Sequence, residues 1–155
     1  GSTYQGDWVE GRIEGQGRSD HAGTVYEGSF VDGKFAGRGT MTMPDGYRYE
    51  GEWQDGERHG TGTATYADGM IYRGAWVKGL REGQGELTRP DGYRYAGGWK
   101  GGAFEGAGTL TYATSDVYEG EFAGGLPHGT GTLTYASGQV SAGTWAEGIL
   151  TAPSE

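Results

Sequence analysis

The 155-residue chain has a formal net charge of −9, no cysteine, and 35 glycines beside 5 Trp, 11 Tyr and 4 Phe. The acidic balance, with no Lys/Arg stripe, argues against nucleic acid, whose phosphates need cations, and less strongly against anionic membrane surfaces. Without cysteine there is no disulfide framework, no thiolate nucleophile and no Cys-based zinc site.

Glycine at this level in an aromatic-rich chain reads as punctuation between strands, since disordered tracts are poor in rings. Gly1-Ser2 has the look of a cloning scar. No apolar run approaches the ~20 residues that span a bilayer.

In chain order, a first copy of a repeat opens at Tyr4 and runs one residue short. The pattern Y-x-G-x-[WF]-x-x-G-x-x-x-G-x-G then returns at Tyr26, Tyr49, Tyr72, Tyr95 and Tyr118, each step being 23 residues. Ser141 takes the tyrosine place in a last half unit that runs to Leu150. About six full units and that half unit cover the chain, so residues 1–155 are expected to form one domain without a linker.

Within a unit, Tyr49, Gly51 and Trp53 alternate with Glu50 and Glu52, which is strand periodicity with an aromatic face and a charged face. Gln54-Asp55-Gly56 signals a turn. A second strand follows in which Gly60, Gly62, Ala64 and Tyr66 alternate with Thr61, Thr63 and Thr65. Ala67-Asp68-Gly69 leads into the next unit, as Pro44-Asp45-Gly46 and Pro90-Asp91-Gly92 do elsewhere. Rings on strands ~4.8 Å apart cannot all share one face. Gly51, Gly60 and Gly62 are therefore expected to leave room for rings lying flat over bare backbone.

The residues Tyr49-Glu50-Gly51-Glu52-Trp53 with Gly56, His59, Gly60, Gly62, Tyr66 and Gly69 resemble the MORN (membrane occupation and recognition nexus) repeat, YEGEWxxGxxHGxGxxxYxxG. Tyr118 to Gly138 matches nearly as well, with Phe122 for Trp and His128 for His. The resemblance implies an all-β fold: an elongated, twisted single strip of antiparallel hairpins, open like a solenoid, with an aromatic-lined groove. Family members scaffold membrane junctions and cytoskeletal assemblies or precede catalytic domains. Met43 and Arg89 replace the second-strand tyrosine, Ser115-Asp116 replaces the turn glycine, and Ser141 and Ala152 mark a decaying last unit. Individuality, and with it function, is sought first where the period falters.

No catalytic set stands out. His59 and His128 occupy one repeat place 69 residues apart and His21 lies elsewhere, so no shared metal site is expected. Pairs such as Glu50 with Glu52 and Glu119 with Glu121 fall on an open polar face where nothing raises a carboxyl pKa. The G-x-G strings lack the following helix that a phosphate loop needs. The chain is read as a non-enzyme without cofactor or metal.

The aromatics carry the remaining question. Tyr49, Trp53, Tyr72, Trp76, Tyr95, Trp99, Tyr118 and Phe122 form the regular ladder, with Tyr47, Tyr66, Met70, Tyr93, Tyr112 and Tyr135 beside it. These fourteen residues are core, partner-binding groove, or a division between the two. The foremost functional reading is a scaffold that binds a peptide or amphipathic helix, with homodimerisation through exposed end strands. Phospholipid binding and carbohydrate or quaternary-ammonium binding on aromatic platforms are the alternatives.

Overall fold

Rings and glycines alternating with Glu and Thr give each repeat two strands. A computed structural model describing residues 1–155 shows fourteen strands and no helix. They divide into two compact units, Gly1–Leu80 and Arg81–Glu155. The first contains β1 (Ser2–Val9), β2 (Arg12–His21), β3 (Thr24–Val31), β4 (Lys34–Thr42), β5 (Arg48–Gln54), β6 (Glu57–Thr65) and β7 (Ile71–Val77). The second is built from β8 (Leu80–Thr88), which starts at the boundary, and β9 (Arg94–Lys100), β10 (Ala103–Thr111), β11 (Val117–Ala123), β12 (Leu126–Thr134), β13 (Val140–Ala146) and β14 (Ile149–Pro153). Within each unit the strands pair antiparallel with their sequence neighbours. The expected all-β, hairpin-repeat fold is what forms.

Two turn types alternate. At the hairpin tips both central residues have positive φ, as at Asp55 (51°) and Gly56 (80°), which is the type I′ turn whose twist suits paired strands. In the turns that lead to the later repeats a single residue does, as at Gly46 (98°), whereas the first of them, Ala22 (52°) and Gly23 (86°), keeps the hairpin-tip form. There the Gly46 amide donates to the Met43 carbonyl (3.0 Å) and the Met43 amide to the Tyr47 carbonyl (2.9 Å). Arg89 makes the same two bonds with Gly92 and Tyr93, so Met43 and Arg89 change the side chain and leave the backbone alone. Ser115 stands in the glycine place at φ 76° and still donates to the Tyr112 carbonyl at 2.9 Å, a left-handed conformation in which its Cβ is crowded.

The core is the ladder. Tyr26, Tyr49, Tyr72, Tyr95 and Tyr118 are at most 1% exposed. Each hydroxyl donates to the carbonyl three residues on: Tyr26 to Ser29, Tyr49 to Glu52, Tyr72 to Ala75, Tyr95 to Gly98 and Tyr118 to Glu121, at 2.7 to 2.9 Å. This anchor lays the ring across a cross-strand glycine pair, Gly51 with Gly62 under Tyr49 and Gly97 with Gly108 under Tyr95. A β-carbon on Gly108 would sit 2.6 Å from the Tyr95 hydroxyl, closer than real contacts allow.

Each buried indole edge is satisfied one repeat back. Trp53, Trp76, Trp99 and Trp145 donate Nε1–H to the carbonyls of Gly39, Gly62, Gly85 and Gly131 at 2.9 to 3.1 Å. The rings meet edge to face in an alternating file. Tyr26 to Trp53, Trp53 to Tyr49, Tyr49 to Trp76 and Trp76 to Tyr72 have centroids 5.0 to 5.4 Å apart. Such T-shaped pairs add about 0.5–1.5 kcal/mol beyond the area they bury.

Gly60 does not serve the rings as Gly51 and Gly62 do. The β5–β6 register breaks between Gly51 and Trp53, and Gly60 takes φ 76° in that bulge. A β-carbon there would collide with the Glu52 carboxylate, which accepts from the Thr61 amide and from Thr61 Oγ1 (2.8 Å). Glu121 caps the Thr130 amide in the same way at 2.7 Å. These hydrogen bonds hold the Glu52 carboxyl below its usual pKa.

Candidate binding groove

The ladder residues among the fourteen candidates are interior. Tyr49, Trp53, Tyr72, Trp76, Tyr95, Trp99, Tyr118 and Phe122 are all 6% exposed or less, because a single-layer sheet has no other core in which to bury its rings. They offer a ligand almost no surface. Burial raises the phenol pKa of Tyr26 and Tyr95 to about 12 and pushes Tyr49 and Tyr118 up as well.

The other six form a second row on the ring face, beside the turns that lead to the next repeat. Tyr47 and Tyr66 meet with centroids 5.4 Å apart in the first compact unit, and Tyr93 and Tyr112 at 6.4 Å in the second. Met70 is half-buried and Tyr135 is 38% exposed. The structure therefore divides the candidates into a covered ladder and a flanking row that keeps a wet side.

A variable place in the repeat sets what lies between row and hairpin tip. Nine residues after the ladder tyrosine stand Phe35, Arg58, Arg81, Phe104 and Pro127. Phe35 stacks flat on Tyr26 (3.9 Å, 10°) and Phe104 on Tyr95 (3.8 Å, 7°). Arg58 instead carries its guanidinium 4.7 Å from the Trp76 ring centroid. Its Nη1 donates to the Tyr47 hydroxyl (2.5 Å) and its Nη2 to the Gly79 carbonyl (3.0 Å).

Around Arg58 the ring face is hollow. A cavity of about 420 Å³ is lined by Met41, Met43, Tyr47, Trp53, Arg58 and Lys78, among others. A second, of about 500 Å³, is bounded by Met43, Asp45, Tyr47, Arg58, Tyr66 and Asp68. Met43, Tyr47 and Arg58 belong to both. Met43 lies where the sequence departs from its period, and it is 39% exposed. Arg58 and Lys78 are absent from the sequence candidates, since the repeat pattern leaves their places open. The signal was the change from Phe35 to Arg58 at one fixed place among otherwise constant neighbours. Thioether, phenol and guanidinium offer adhesion and hydrogen bonding, and the groove walls contain no paired base and nucleophile. Nowhere do three or more His, Asp or Glu side chains gather as a metal-binding group.

Fold and groove define a β-hairpin repeat module whose rings are spent mostly on its own core. The MORN repeat model matches residues 4–20, 26–46, 49–71, 72–92, 95–117 and 118–140, and the chain belongs to the MORN repeat family. The MORN repeat is a non-catalytic repeat module. Among solved structures, the chain is similar to the TCP domain of SAS-4 (dCPAP) of Drosophila melanogaster, determined in complex with a proline-rich motif of Ana2 (dSTIL). That likeness has a TM-score of 0.51 at 14% identity, covering 83% of this chain and 71% of the other, and is one of fold. No curated protein sequence matches significantly.

Proposed function

We propose that this chain is a non-enzymatic protein-interaction module that binds an extended peptide across the ring face of its first unit. The carrying observation is the pair of adjoining cavities sharing Met43, Tyr47 and Arg58, the hollow beside which the ladder rings are covered and the flanking tyrosines are not. Flat aromatic walls about a shallow trough suit a polyproline II segment, which arrives already extended and loses little entropy on docking. The TCP domain, of similar fold, was solved with a proline-rich motif, which favours an extended ligand over an amphipathic helix. Methionine at Met43 and Met41 supplies an adaptable floor.

The test is a titration of the full chain with blocked proline-rich peptides and, separately, amphipathic helical peptides, followed by amide chemical shifts. The expected result is saturable shifts at Met43, Tyr47 and Tyr66 with the proline-rich set. Shifts with the helical set alone, or with neither, would remove the reading.

A further inference from the structure

We infer that the groove selects a peptide carrying one carboxylate side chain, received by Arg58 with Lys78 beside it. This rests on the peptide-binding reading above and adds charge specificity to it.

Arg58 is half-buried, and its two placed hydrogen bonds go to neutral acceptors, the Tyr47 hydroxyl and the Gly79 carbonyl. A guanidinium has five N–H donors. The ion pairs of the chain engage Arg12, Arg18, Arg48, Arg89 and Arg94 with Asp or Glu, and Arg58 is not among them. In a chain of net charge −9, a partly desolvated cation with no carboxylate in ion-pair range is an under-compensated charge, which an incoming anion would neutralise. Lys78, exposed on the hairpin tip, lines the same cavity and also has no acidic partner among those pairs.

Two of the acidic groups at the groove are turned to other tasks. Asp45 Oδ1 accepts from the Tyr47 amide (2.9 Å) and Asp68 Oδ1 from the Met70 amide (3.0 Å), each capping its own turn. Glu57, next to Arg58 on β6, is exposed and lines the first cavity as well as a hollow with His59 and Lys78, yet it forms no ion pair with either cation. Trp76 backs the guanidinium and Tyr47 fixes one edge, which orients the remaining donors for a planar carboxylate.

The experiment walks a single Glu through a blocked proline-rich peptide about twelve residues long and compares each register with its Gln twin. Binding to the full chain is measured at physiological ionic strength, where charges beyond roughly 8 Å are screened. One register should bind about tenfold tighter than its Gln twin, the scale of a charge-assisted hydrogen bond. Arg58→Gln should erase that advantage, so that the Glu and Gln twins bind alike whatever happens to the affinity they share. Lys78→Gln, a change at an exposed tip, should reduce it in part and stands in if Arg58→Gln lowers the melting temperature. The inference is overturned if no Glu register exceeds its twin, or if the advantage survives both substitutions. Equal binding by both twins leaves the peptide-binding reading standing, whereas binding by neither overturns both.

Discussion

The Tyr49 ring lies directly over Gly62, so close that any β-carbon at that position would occupy the space of the phenol. The contact recurs with Tyr26 over Gly39 and Tyr118 over Gly131, which makes the glycine of each repeat a steric requirement set by a ring thirteen residues away. Gly62→Ala should therefore cost about 1–3 kcal/mol or more, the range for overpacking a filled core. Gly56→Ala, where an added Cβ meets nothing and only positive φ opposes it, should cost nearer 1 kcal/mol. Urea unfolding of both variants checks this, and equal midpoints would show that the ring contact is not the constraint.

Trp76 meets Tyr49 and Tyr72 and carries the Arg58 guanidinium, whereas Trp145 is recorded against Tyr118 alone. Trp76→Ala should destabilise by about 3–5 kcal/mol and Trp145→Ala by less. Thermal melts of the two variants decide, equal shifts counting against the ladder as the source of stability.

Ser115 occupies a left-handed position that its counterparts Gly46, Gly69, Gly92 and Gly138 fill without strain. Ser115→Gly should raise stability by about 1 kcal/mol, an unusual gain for introducing glycine. A lowered melting temperature would show that the serine side chain contributes something beyond the turn.

Alkali should unfold the chain through its ladder. Tyr26 and Tyr95 ionise near 12 when folded and near 10 when exposed, so the folded state holds their protons longer. Their contribution is complete below pH 10 and is lost as pH rises toward 12. Absorbance at the phenolate band should lag behind free tyrosine and then rise together with loss of the β-sheet signal.

Tyr66→Ala should weaken a bound proline-rich peptide by about tenfold, the cost of losing an aromatic anchor, while shifting the melting temperature little because the ring is half-exposed and outside the ladder. Calorimetric titration beside a thermal melt separates the two effects.

The repeat, the strand pairing and the ring-over-glycine packing were all legible, because each leaves a mark at fixed spacing. Gly60 was misread for a physical reason: a bulge breaks strict alternation, so a glycine sharing the parity of Gly62 answers to the Glu52 carboxylate instead of to a ring. The division of the aromatics was hidden too, since Tyr49 and Tyr47 are the same residue two places apart, and only burial tells the anchored phenol from the groove wall. Arg58 was illegible for the opposite reason. Its place carries no pattern, and its role comes from neighbours on β7 and in the turn before β5.

Because each of the four buried indoles donates to a glycine of the repeat before it and none to the repeat after, the assembly has a sense, like a tiled roof laid from one eave. Shortening from the carboxyl end removes a donor together with its own repeat and leaves the earlier indoles served. Shortening from the amino end strips the acceptor from the next tryptophan and leaves a buried N–H without one. Length variation in such a chain is therefore directional, cheaper at the tail than at the head.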